Sequence, residues 1–92
     1  MFLRVSRGRI DPAKSAEATS LVPALIAAIK QLPGCRDVVI GVDPESGKSI
    51  SIGTFDTQEQ AMFSREILGD AIAPLLELGW QGDPPEIYNK TQ

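Results

Sequence analysis

The sequence predicts an α+β domain in the order βαββαβ, with an antiparallel four-stranded sheet that carries both helices on one face. Three observations lead there. Alternating apolar residues on either side of a turn, within residues 32–55, read as a hairpin. Two stretches of helical period each follow a capping residue. A short strand-like run stands at each end of the chain.

Residues 2–10 form the first strand. Leu3 and Val5 fall on one face, and Phe2, Arg4 and Ser6 on the other, with Gly8 marking a bend or bulge. Asp11 then caps a helix whose first position suits Pro12, since a proline lacks an N–H that would go unused there anyway. Ala16, Thr19, Val22, Ile26, Ile29 and Leu32 recur at spacings of three and four and give the helix its core stripe. Pro23 interrupts that run and predicts a kink or two abutting helices. Pro33 and Gly34 end it.

In the hairpin, Val38, Ile40 and Val42 share one face by period two, as do Ile50 and Ile52. Gathering all of them on one face requires Val38 opposite Ile52, Ile40 opposite Ile50 and Val42 opposite Lys48. The connection is then a five-residue loop, 43–47. Asp43 and Pro44 suit its opening, and Gly47 is free to take positive φ before the return strand.

Thr57 with Gln60, or Asp56 with Glu59, supplies a reciprocal cap for the second helix. Its stripe is Ala61, Arg65, Leu68 and Ile72, with Phe63 and Ile67 beside it. Gly69 and Asp70 break it before a short helix over 71–78. Residues 78–83 read as loop. Pro84 and Pro85 lead into a last strand, 86–90, with Ile87 and Tyr88 on opposite faces.

This order is the split-βαβ, or ferredoxin-like, arrangement, expected here as a single domain over residues 1–92. One face of its sheet is left without helices. In the expected register Gly41, Ser49, Ser51 and Gly53 lie on that bare face, and Arg4 can join them. Small residues let another backbone or a ligand come close. They mark a dimer interface or the floor of a pocket, unless they only relieve crowding.

Composition excludes several classes. The net charge of −3 and pI near 4.8 argue against a nucleic-acid partner, and Arg4, Arg7 and Arg9 read as a solvated strand face. Ser and Ile stand on the third strand where an RNA-recognition module stacks aromatic rings. Cys35 is the single cysteine, so no disulfide forms within the chain. It reads as a small half-buried apolar residue. No signal peptide is visible, and the longest apolar run, 21–29, is too short for a bilayer and holds Pro23. A soluble, cytoplasmic protein is expected, with no membrane partner. The chain has no histidine. A histidine base, a Ser–His or Cys–His nucleophile and a haem held by histidine are therefore excluded, and no metal site or cofactor is expected.

Leu32-Pro33-Gly34-Cys35, the strand ending at Asp43, Ser46-Gly47-Lys48, the pair Phe55-Asp56, the Gln-Glu-Gln-Ala helix start and Pro84-Pro85-Glu86-Ile87-Tyr88 together resemble the antibiotic biosynthesis monooxygenase family of dimeric α/β barrels. The likeness spans nearly the whole chain. Cys35 stands where that family usually has an aromatic residue, and Phe55 where a Trp is common, so bulk is removed near the expected cavity. The resemblance implies a homodimer, with two sheets face to face and a site between sheet and helices in each subunit. It implies cofactor-independent oxygenation, or simple binding, of a small aromatic metabolite. The alternative is a non-catalytic dimeric accessory protein that binds a ligand or partner. Phe55, Phe63, Trp80 and Tyr88 are the candidate pocket residues, with Arg65 and Asn89 as polar companions. No catalytic residue is assigned.

Overall fold

The computed structural model describes residues 1–91. Strand β1 (Phe2–Arg9) is followed by a 3₁₀ turn (Pro12–Lys14), helix α1 (Ser15–Lys30), strands β2 (Cys35–Val42) and β3 (Lys48–Phe55), and the four-residue helix α2 (Gln58–Ala61). A 3₁₀ segment (Arg65–Ala71), helix α3 (Ala73–Glu77), and strands β4 (Gln81–Gly82) and β5 (Glu86–Asn89) complete the chain. The sheet is antiparallel with β1 and β3 at its centre. It runs β2-β3-β1-β4, and β5 also pairs with β1. This is the expected ferredoxin-like plan, with its outer strand in two pieces. Gln81 and Gly82 pair with the end of β1, where a loop was expected, and 86–89 pair with its beginning. Pro84 and Pro85 lie between and have no N–H to give the ladder. The sheet of one chain is open and does not close into a barrel.

The local signals act as expected at the element ends. Asp11 Oδ1 accepts from the Ala13 N–H at 3.0 Å. Thr57 and Gln60 form the full reciprocal cap of α2. Pro23 lies inside one continuous helix, on its exposed side, so α1 is not two helices. The buried stripe of α1 is Ser15, Ala18, Leu25 and Ile29, about one position round from the expected one; Ala16 and Thr19 face solvent.

The hairpin differs by one residue. Val42 stands opposite Ser49, Ile40 opposite Ser51 and Val38 opposite Gly53. The turn explains the slip. Asp43 already pairs with Lys48, its N–H donating to the Lys48 carbonyl at 2.8 Å. Its own carbonyl accepts from Gly47 N–H at 2.9 Å. Its carboxylate takes the Ser46 hydroxyl at 2.6 Å. The connection is therefore four residues, not five. A bulge at Arg36 then brings Cys35 opposite Phe55, and the Arg36 guanidinium grips the Asp56 carboxylate with two bonds of 2.8 Å.

A slip of one residue changes which side chains share a face. Val38, Ile40, Ser49, Ser51, Gly53 and Phe55 lie with Phe2, Arg4 and Ser6 on the helix side. Leu3, Val5, Val39, Gly41, Ile50 and Ile52 lie on the other side. Ser49, Ser51 and Gly53 thus do not belong to the bare face, and only Gly41 of the expected set does.

Gly47 adopts φ +76, and a β-carbon there would run into the Ile10 carbonyl; the Ile10 N–H donates to the Gly47 carbonyl at 2.8 Å. Gly47→Ala forces a left-handed residue against backbone. It should lower stability by about 1–3 kcal/mol or more, read as a lower urea midpoint with an unchanged slope.

Candidate functional site

Arg4 sits on the central strand and points to the helix side, where it is 5% exposed. A guanidinium in the interior must find acceptors. Its Nη1 donates to the Ala61 carbonyl at 2.9 Å and to the Phe63 carbonyl at 2.7 Å. In a continued helix the Ala61 carbonyl would accept from the N–H four residues on, that of Arg65. Arg4 takes it instead, and α2 stops after one turn. The sequence placed the break at Gly69; it comes first at 62–64, where Ser64 caps the next segment through the Glu66 N–H. Phe63 turns inward there. Its ring lies 3.9 Å from the Arg4 guanidinium carbon and 5.7 Å from the Phe55 ring.

The break leaves a cavity of about 80 Å³ between sheet and helices. That exceeds the ~10–15 Å³ that one water needs and falls below the ~300–1,000 Å³ of pockets for drug-sized ligands. Ser6, Ser49, Ser51 and Gly53 form its floor, the apolar stripe of α1 one wall, and Phe55 and Phe63 one end. The small residues of β3 make this volume: larger ones would fill it.

Trp80 closes the other end. Its indole N–H donates to Ser49 Oγ at 2.9 Å, and Arg65 stacks at 5.0 Å from its ring while donating to the Asp83 carbonyl at 2.7 Å. The ring lies flat on bare backbone, since a β-carbon on Gly8 would come within 2.5 Å of it and one on Gly82 would overlap it. The bend expected at Gly8 is thus a seat for Trp80.

The structure brings three of the four candidate pocket residues to one cavity, Phe55, Phe63 and Trp80, together with Arg65. Tyr88 is elsewhere. It pairs with Leu3 on the other face of the sheet, is 48% exposed, and donates its hydroxyl to Glu86, which also takes Arg7. Those two bonds hold the Glu86 carboxyl below its usual range, and Glu86 pushes the Tyr88 phenol up. Asn89 is exposed at the end of β5. Arg4 is the residue that reading the sequence missed. Its parity with Phe2 and Ser6 was visible, but a strand arginine reads as solvated. Burial first, then the like charge of Arg65, hold its pKa below the ordinary value. Cys35 keeps an ordinary thiol's inertness, since burial pushes its pKa up. Among the described residues no group of three acids, cysteines or histidines is placed to hold a metal ion. No helix among them is long and apolar enough to cross a membrane.

Known structures share this architecture. An assigned antibiotic biosynthesis monooxygenase of Deinococcus radiodurans superposes over 100% of this chain and 94% of its own, with TM-score 0.75 at 17% identity. SnoaB, a cofactor-independent oxygenase of Streptomyces nogalater, matches 99% of this chain and 93% of its own, with TM-score 0.70 at 14% identity. The fold is that of the antibiotic biosynthesis monooxygenases. A further assigned member, from Chloroflexus aurantiacus, covers 99% of this chain and 93% of its own, with TM-score 0.69 at 19% identity. No family profile matches the sequence, and no curated protein does.

The Trp80 seat has a direct test. Trp80 is the single tryptophan, so its emission reports this site alone. Gly8→Ala should lift the ring from its seat, shift emission to the red and raise acrylamide quenching, with the far-ultraviolet circular dichroism unchanged. Gly41→Ala, whose β-carbon would meet only an Ile50 methyl at 3.7 Å, should leave both readings as they are.

Proposed function

We propose that this chain is a cytoplasmic, homodimeric member of the antibiotic biosynthesis monooxygenase family that takes a small aromatic metabolite into the Arg4–Trp80 cavity and oxygenates it without a cofactor. The observation that carries this reading is the cavity itself. It is apolar, walled by Phe55, Phe63 and Trp80, and placed between sheet and helices, in a fold shared with a cofactor-independent oxygenase.

The chemistry suits such a site. A phenol or enol that ionises can pass an electron to dioxygen. The two radicals join in a C–O bond, and loss of water from the peroxide leaves a carbonyl. One dioxygen is consumed and one water released, and no outside reductant enters. The protein has to bind the ring, exclude water and stabilise negative charge. The aromatic walls and the Arg4 and Arg65 guanidinium groups are suited to those tasks. A second reading, binding without turnover, draws support from the lining: its ionisable side chains are the two arginines, and neither is a base at neutral pH.

The other sheet face supports the dimer reading. Leu3, Ile50, Ile52, Val39 and Tyr88 give it an apolar surface with no helix over it; Val39 is 54% exposed. For a chain of 92 residues, a second copy placed there would bury much of what the core lacks.

Two measurements check these readings. With a panel of single-ring phenols and hydroquinones, oxygen consumption should exceed the rate of the free substrate. Ser51→Leu, which fills the floor, should lower the excess at least about tenfold. Saturable binding without consumption across the panel would favour the accessory reading. By light scattering at micromolar concentration the mass should be that of a dimer, and Val39→Glu should halve it; a monomeric wild type would remove the homodimer.

A further inference from the structure

A positive charge buried without an acid is the least expected feature of this interior. Arg4 is held by two carbonyls and a ring face, all neutral. Both carbonyl bonds are made by Nη1. Its Nε and Nη2 have no hydrogen-bond partner among the described residues. No fully buried side-chain nitrogen there is left without one, so these two nitrogens are not sealed off, and Arg4 is one of the residues that line the cavity. Arg65 lines the same cavity and lies close enough to disfavour the charge on Arg4. No aspartate or glutamate is among the lining residues. The ion pairs of the described chain, Arg7 with Glu86 and Arg36 with Asp56, are both elsewhere on the surface.

Two like charges facing one small apolar space are unfavourable while it is empty of charge. In a low dielectric they are relieved by one anion placed between them. The free edge of a guanidinium offers two parallel N–H groups, the geometry that a carboxylate or phenolate oxygen accepts best. Phe55, Phe63 and Trp80 line the same space and offer ring faces to a flat body. We propose that the cavity selects a single-ring aromatic anion, a phenolate or an aromatic carboxylate, over the neutral molecule of the same shape, with Arg4 Nε and Nη2 as the groups that recognise the charge. This rests on the cavity being the ligand site, and it names the charge state that the site takes.

The consequence is linked to pH through the ligand. A phenol bound here ionises at lower pH than in water, because the site prefers its anion. The test uses 4-nitrophenol, whose phenolate absorbs at a wavelength where the phenol does not, with the wild-type full-length chain. The bound probe should titrate at least one pH unit below the free one, which corresponds to a tenfold preference for the anion. Benzoate should displace it, while nitrobenzene and benzamide should bind at least about tenfold more weakly. Arg65→Gln, which leaves the end of α2 intact, should reduce that preference. Arg4→Gln should abolish it, and thermal melting shows whether that variant still folds. The wild-type titration stands even where it does not.

A bound probe that titrates at or above the free value, or neutral analogues that bind as tightly as benzoate, would overturn the anion preference and leave the cavity as the ligand site. Oxygen consumption with a larger phenol, without binding of any of these probes, would overturn it too. Failure of binding and of consumption together would remove the ligand site itself.

Discussion

The bonds from Arg4 Nη1 to the Ala61 and Phe63 carbonyls shape the helix layer. A helix ends where its carbonyls find other donors. Here the donor comes from the central strand and reaches up through the core. It takes the carbonyl that the Arg65 N–H would otherwise use, and the second helix of the fold becomes a short turn, a break and a 3₁₀ segment. A charge-assisted bond of this kind is worth roughly 1.5–3 kcal/mol. Desolvating the guanidinium costs several kcal/mol. The two are of the same order, so Arg4 is not a strong stabiliser of the fold. Its effect is on shape: Phe63 is turned inward, and a space remains that a continuous amphipathic helix would have filled.

The sheet has two apolar faces, and that fact governs both the cavity and the exposed surface. Reading the hairpin with all its apolar residues on one side assumes a single apolar face. The structure divides them. Val38 and Ile40 face the helices; Val39, Ile50 and Ile52 face away. Three apolar residues stand beside a small one on the next strand, Ile40 by Ser51, Val38 by Gly53 and Ile50 by Gly41, while Val39 stands beside Ile52. On the helix side the small partners open the floor of the cavity. On the other side the large ones build a surface with nothing over it within the chain.

What the sequence made legible were the features set by neighbours along the chain. Asp11, Thr57 with Gln60, Pro33-Gly34 and Pro84-Pro85 act locally, and each stands where its chemistry requires. The order of elements followed from them. The register did not, because the four- and five-residue turns both suit Asp43, Pro44 and Gly47, and only the bonds that close the turn, from Gly47 N–H to the Asp43 carbonyl and from Asp43 N–H to the Lys48 carbonyl, decide between them. Phe55, Phe63 and Trp80 were legible as candidates because large aromatics are few here. Tyr88 was equally conspicuous, yet strand parity puts it on the far face. The partners of Arg4 lie 57 and 59 residues away, beyond the reach of any local pattern.

The chain as a whole is acidic, with a net charge of −3, while its cavity is bordered by two arginines and no acid. The two facts act over different distances. At physiological salt the surface acids are screened beyond roughly 8 Å, so they neither repel an approaching anion strongly nor draw one in. Between the apolar walls of the cavity the local dielectric is lower and screening is weaker, so the near charges dominate. An anion would gain nothing from long-range steering and much from arrival. For the proposed ligand, discrimination would therefore belong to how long it stays once it is between Arg4 and Arg65, and to the fit of a flat ring against Phe63 and Trp80, not to how fast it is found.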